Sequence, residues 1–179
     1  MKQMVQIFLL EVFLLYACQI DKSEIQNKQQ QDYYQFHRLD LRKSEIDAEI
    51  MIPDATAGIG ASFKPQIIHE LADYKWIIHI GRNFELHIED FGDNSYRYPE
   101  VRKKIMTNKI FKVQILKEEE NQILFKRNID NTYHVYSVKK IGDVYYELSG
   151  REEGDSKKVA EFMYRSIKSF KKKKYEFKS

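Results

Sequence analysis

From Ile46 onward the chain alternates apolar and polar residues with period two, the signature of strands buried on one face. Ile46, Ala48, Ile50 and Ile52 alternate with Glu45, Asp47, Glu49 and Met51, and Pro53 ends the run. Trp76, Ile78 and Ile80 form a second stripe, and Phe84, Leu86 and Ile88 a third, with Gly81-Arg82-Asn83 between them. A three-residue turn pairs Ile80 with Phe84, Ile78 with Leu86 and Trp76 with Ile88, so all the large apolar residues share a face. A two-residue turn would set Ile80 against Glu85 and scramble the faces.

The period then changes. Asp93 to Ser95 are turn and cap residues, Pro99 suits a first helical turn, and Val101 and Ile105 mark a short helix of roughly ten residues. Four strands follow. Phe111, Val113 and Ile115 share one face, as do Ile123 and Phe125, and a last hairpin folds over Gly142-Asp143. Val159, Phe162, Met163, Ile167 and Phe170 fall on one helical stripe, capped by Asp155 or Ser156. The predicted order is β-β-β-α-β-β-β-β-α. This is an α+β fold, an antiparallel sheet flanked by helices, over residues 33–170.

The strand ending Ile52-Pro53, the segment Trp76-Ile77-Ile78-His79-Ile80 and the helix closing Ser166-Ile167-Lys168-Ser169-Phe170 resemble the PsbP-like α/β/α sandwich. The resemblance implies that fold and a largely noncatalytic accessory or binding role. It does not imply an activity, because fold does not fix function.

The N-terminus reads differently. Lys2 precedes a mostly apolar run from Met4 to Ala17. These fourteen residues would rise about 21 Å as a helix, short of a ~30 Å hydrocarbon core. They fit the apolar region of a signal peptide, residues 1–17. Leu15-Tyr16-Ala17-Cys18 resembles the lipobox of bacterial lipoproteins, and Cys18 is the only cysteine of the 179 residues. The resemblance implies that Cys18 becomes the first mature residue, carries diacylglycerol and holds the protein to a membrane of the cell envelope. Residues 18–32 are polar and Gln-rich, with too little apolar surface to offset ordering, and read as a flexible tether. Gln19 replaces the Asp of the enterobacterial inner-membrane retention signal, and Asp21 and Glu24 resemble surface-export signals of Bacteroidota lipoproteins. Both imply the outer membrane rather than the inner.

Charge narrows the partners. Thirty cations against 27 anions give +3, but five lysines and one glutamate fall in residues 171–179, which leaves the body at −1. This reads as a basic, solvated tail on a near-neutral domain, and a nucleic-acid partner is not expected.

Three segments are candidates for chemistry or recognition. In the hairpin register, His79 lies opposite Glu85 and diagonal to His87 on the polar face. Two imidazoles and a carboxylate within about 7–8 Å could hold a zinc ion. That would make the chain a small metal-dependent hydrolase; the plainer reading is a solvated sheet face, with Lys75 and Glu89 continuing it. Phe91, Tyr96 and Tyr98 cluster on a loop and suit recognition of a partner, flat apolar bodies with polar tips. Tyr133, Tyr136, Tyr145 and Tyr146 fit sheet packing. Residues 54–62, DATAGIGAS, carry no Lys-Ser or Lys-Thr and are a loop rather than a phosphate cradle, so no cofactor is expected. The expectation is a lipid-anchored binding or accessory module for another envelope protein. A carrier of a small apolar ligand, held between sheet and helix, is the remaining alternative.

Overall fold

In the computed structural model, which describes residues 33–60 and 64–173, period-two alternation becomes antiparallel pairing throughout. Strands β4 (Lys75–Ile80) and β5 (Phe84–Asp90) meet with Ile80 opposite Phe84, Ile78 opposite Leu86 and Trp76 opposite Ile88. The three-residue turn sets that register, and Gly81 there takes φ +62°.

Two antiparallel sheets result, with two α-helices among the described residues, so the fold is α+β and not a barrel. A small sheet holds β1 (Phe36–Asp40), β2 (Ala48–Pro53) and β10 (Lys171–Lys172), with β2 central. The large sheet has seven strands in the order β3-β4-β5-β9-β8-β7-β6. Its remaining strands are β3 (Gln66–Glu70), β6 (Val113–Glu119), β7 (Gln122–Arg127), β8 (Thr132–Ile141) and β9 (Val144–Ser149).

Helix α2 (Lys157–Ser169) starts at Ser156, whose side chain accepts from the Val159 amide. Its apolar stripe packs against β2 of the small sheet and against β5, β7 and β8 of the large one. Two hydrogen bonds fix it there. Buried Gln122 of β7 donates to the Tyr164 carbonyl at 2.6 Å, and the Met51 amide of β2 donates to Ser169 Oγ at 2.7 Å. Ile50, Ile52, Ile78, Ile80, Leu86, Ile88 and Leu148 are all essentially inaccessible and form the inner core.

Helix α1 (Arg97–Thr107) lies on the other face of the large sheet. Ile123 and Phe125, which alternate with the α2-facing Gln122 and Leu124, join Tyr98, Tyr136 and Val138 beneath it. Val101, Ile105, Val113 and Ile115 complete that cluster. The other end of this face, over β3 to β5, has no helix on it among the described residues.

The order contains more strands than the sequence pattern predicts. β1, β3 and β10 are additional, and all three are edge strands. An edge needs backbone pairing on one side only and little apolar surface, so FHRLD, QIIHE and KK show no clean alternation. The start of the basic run is also not simply solvated. Lys171 and Lys172 pair with Glu49 and Ala48 of β2. Buried Glu49 gathers Lys173 Nζ at 3.0 Å, Lys171 Nζ at 3.4 Å and Arg38 Nη1 at 3.6 Å. Burial by itself would raise this carboxyl. The Lys173 hydrogen bond and the charges of Arg38, Lys173 and Lys171 outweigh it and hold Glu49 below the usual carboxylate range.

The described residues from Gln35 onward form one compact unit. The signal-peptide segment 1–17, Cys18, the tether 18–32 and residues 174–179 lie outside the described residues. No helix among the described residues is long and apolar enough to cross a membrane.

Candidate functional site

Strand pairing brings His79, Glu85 and His87 together on the outer face. His87 Nε2 lies 2.7 Å from Glu85 Oε1, and His79 Nδ1 lies 3.4 Å from Glu85 Oε2. Each imidazole takes a different oxygen of one carboxylate, which serves as the hub. Lys75 and Glu89 follow along the same face at 3.7 Å. Among the described residues no three His, Cys, Asp or Glu side chains stand where they could hold a metal ion.

The loop aromatics are placed apart. Tyr98 is buried under α1, its ring stacked on Tyr136 with centroids 6.1 Å apart. Phe91 is half-buried, with the Arg97 guanidinium 4.4 Å over its ring. Arg97 continues to Glu147 at 2.6 Å, and Glu147 also accepts from the Tyr136 hydroxyl at 2.8 Å. Two backbone bonds tie this loop to β9, Phe91 N to Tyr145 O and Tyr145 N to Gly92 O. Tyr96, 75% exposed, is the member presented to solvent.

A cleft of about 210 Å³ opens beside the C-terminal end of α1, over β6, β7 and β8. Ile105, Phe111, Val113 and Phe125 give it apolar walls; Lys104, Asn108, Arg127 and His134 supply the polar groups. His134 is buried, stacked on Phe125 at 5.2 Å, with Nε2 2.8 Å from Thr132 Oγ1. Burial first, and the Arg127 charge second, push its imidazole down to about 4, so it is neutral at physiological pH. Gly154, at φ +85°, passes so close that a Cβ there would meet the ring at 2.5 Å. Arg127 stacks over Phe111 at 3.9 Å, pairs with Asp130 and reaches the Glu152 carbonyl at 3.3 Å. Its Nε is buried and has no hydrogen-bond partner.

Pattern reading does not find this cleft, because Ile105, Phe111, Arg127 and His134 come from four separate segments. The available signal is weak. Arg127 and His134 are polar residues in register with apolar, helix-facing positions, Arg127 in the row of Ile123 and Phe125 and His134 in that of Tyr136 and Val138.

The edges of the large sheet also differ. β3 pairs only with β4, and the β3–β4 hairpin exposes Ile68 (46%), Leu71 (72%) and Tyr74 (66%). β6, at the opposite edge, carries a register shift between Ile115 and Lys117 and then the exposed charges Lys117, Glu118 and Glu119.

No protein-family model, no curated protein and no solved structure matches this chain.

Proposed function

We propose that this protein is a lipid-anchored component of the bacterial cell envelope, on the outer membrane rather than the inner, whose domain is a noncatalytic binding module for another envelope protein. The anchor rests on the lipobox-like Leu15-Tyr16-Ala17-Cys18 behind an apolar run, with the polar segment 18–32 as spacer. The fold is read as a PsbP-like sandwich. Its support is the terminal helix packed against both sheets, together with the Ile52-Pro53 strand end and the Trp76–Ile80 strand.

The observation that carries binding is the β3 edge. An edge strand offers unpaired N–H and C=O groups to an added strand, and neighbouring side chains give selectivity. β3 is short and carries no bulge, and its hairpin exposes three large apolar side chains, Ile68, Leu71 and Tyr74. Such residues on one hairpin suit a protein surface better than solvent.

Two measurements test the two halves of this reading. Membrane fractionation with mass spectrometry of the N-terminal peptide is expected to find the wild type membrane-bound, without residues 1–17 and diacylated at Cys18, and Cys18→Ala unlipidated. A soluble wild type that keeps Met1 would refute the anchor. Native electrophoresis of solubilised membranes is expected to show a complex that Ile68→Lys with Leu71→Lys removes. Its persistence in that double variant would refute the edge.

A further inference from the structure

We propose that the cleft beside the end of α1 binds a small aromatic or branched-chain carboxylate, its apolar body against Phe111, Phe125 and Ile105 and its carboxylate near Arg127 and Lys104. This inference stands independently of the membrane anchor and of the β3 edge.

Size comes first. A volume of about 210 Å³ falls below the ~300–1,000 Å³ of sites for drug-sized ligands, so the occupant is one small molecule. The walls come next. Four apolar side chains face a hollow that the surrounding core does not fill, and a hollow forfeits dispersion contacts on its lining. An apolar body restores them.

The polar groups then select the ligand's other end. No carboxylate lines the cleft, and two cations do. Lys104 is exposed and makes no ion pair among the described residues. It sits in the last turn of α1, where it offsets the partial negative charge of the helix end. Arg127 keeps two nitrogens on Asp130 and the Glu152 carbonyl, while its buried Nε lacks an acceptor. Arg127 lines the cleft, and a carboxylate is the anion a guanidinium pairs with best. Stacking on Phe111 holds the guanidinium plane in place before any ligand arrives. His134, neutral, adds a polar edge without charge.

The rim is built rather than loose. Asn108 Oδ1 accepts from the Ile110 and Phe111 amides at 3.0 and 3.1 Å, and Asn128 Nδ2 donates to the Lys112 carbonyl at 2.7 Å. These bonds fix the crossing from α1 to β6, so little chain has to be ordered on binding.

The test is a two-dimensional NMR titration of the full chain with sodium phenylacetate and, separately, with 2-phenylethanol, an uncharged molecule of the same size class. Phenylacetate is expected to shift the Ile105, Val113 and Phe125 amides saturably and to bind at least about tenfold more tightly than the alcohol. Lys104→Glu, on an exposed position that leaves the core intact, is expected to weaken phenylacetate and leave the alcohol unchanged. Ile105→Trp is expected to fill the cleft and remove both; if that bulkier variant does not fold, Lys104→Glu still decides. Equal binding of acid and alcohol, shifts centred elsewhere, or no saturable shift would each overturn the proposal.

Discussion

The two ends of the seven-stranded sheet are built from the same alternating material and are finished in opposite ways. At the β6 end, α1 lies over the outer face, the edge is bent by a register shift, and Lys117, Glu118 and Glu119 charge it. Arg102 of α1 pairs with Glu118, and Lys168 of α2 reaches Glu119 at 2.9 Å. Bulges and charges are the usual means of keeping an edge from pairing with another chain. At the β3 end the outer face has no helix on it among the described residues; it carries the His79–Glu85–His87 cluster and the Lys75–Glu89 pair with Ile77 between them, and the hairpin exposes Ile68, Leu71 and Tyr74. The β6 end is closed by helix, register shift and charge, the β3 end is left open, and the open end is the one proposed to bind a partner.

Substitutions at the two ends are expected to have unequal effects on stability. The largest effect is expected at the closed end. Phe125→Ala empties the cluster under α1 and is expected to cost about 3–5 kcal/mol in urea unfolding, whereas Ile68→Ala at the open end should cost under about 0.5 kcal/mol. Similar losses at both ends would erase the distinction.

His134 adds a pH dependence to the closed end. Its folded-state value, about 4, lies below the ordinary 6.5, so the unfolded chain takes up the proton first as pH falls. Stability is expected to decline from near pH 7 to pH 4, by up to about 3 kcal/mol from this residue. His134→Phe should flatten that decline; an unchanged profile would contradict the buried, neutral imidazole.

The small sheet supplies a third edge, closed by charge. Glu49→Gln leaves Arg38, Lys171 and Lys173 without their shared carboxylate and is expected to cost about 2 kcal/mol at neutral pH. Glu49 has a lowered folded-state pKa, so its contribution is complete above the unfolded carboxylate value and is lost as pH falls through the folded one. Wild type and variant should therefore converge in acid. Divergence there would show that the lysine strand is held by something else.

The smallest stability effect belongs to the open hairpin itself. Leu71→Lys and Tyr74→Lys should each change stability by no more than about 0.5 kcal/mol while removing the partner.

Sequence legibility follows the same division. Strands with one face fully buried declare themselves, and the β4–β5 register was readable because one turn length alone kept Trp76, Ile78 and Ile80 on the face of Phe84, Leu86 and Ile88. β6 was readable because α1 demands apolar residues at Val113 and Ile115. β1, β3 and β10 were not, since an edge is held through backbone groups that every residue carries. Hairpin register likewise brought His79, Glu85 and His87 together. Tyr98 reads as a loop aromatic beside Phe91 and Tyr96, but Tyr98, Val101 and Ile105 fall at i, i+3 and i+7, a helical stripe, and burial under α1 follows from that spacing. The cleft depends on where a helix ends over three strands, which no local pattern encodes.

Cross-linking in intact cells tests whether the open β3 edge receives a partner. A photoreactive residue is placed at position 71 in one strain and at position 119, on the closed edge, in another. Efficient capture of one and the same envelope protein from position 71, with none from position 119, is the result this account predicts. Equal capture from both edges, or capture from position 119 alone, would contradict it.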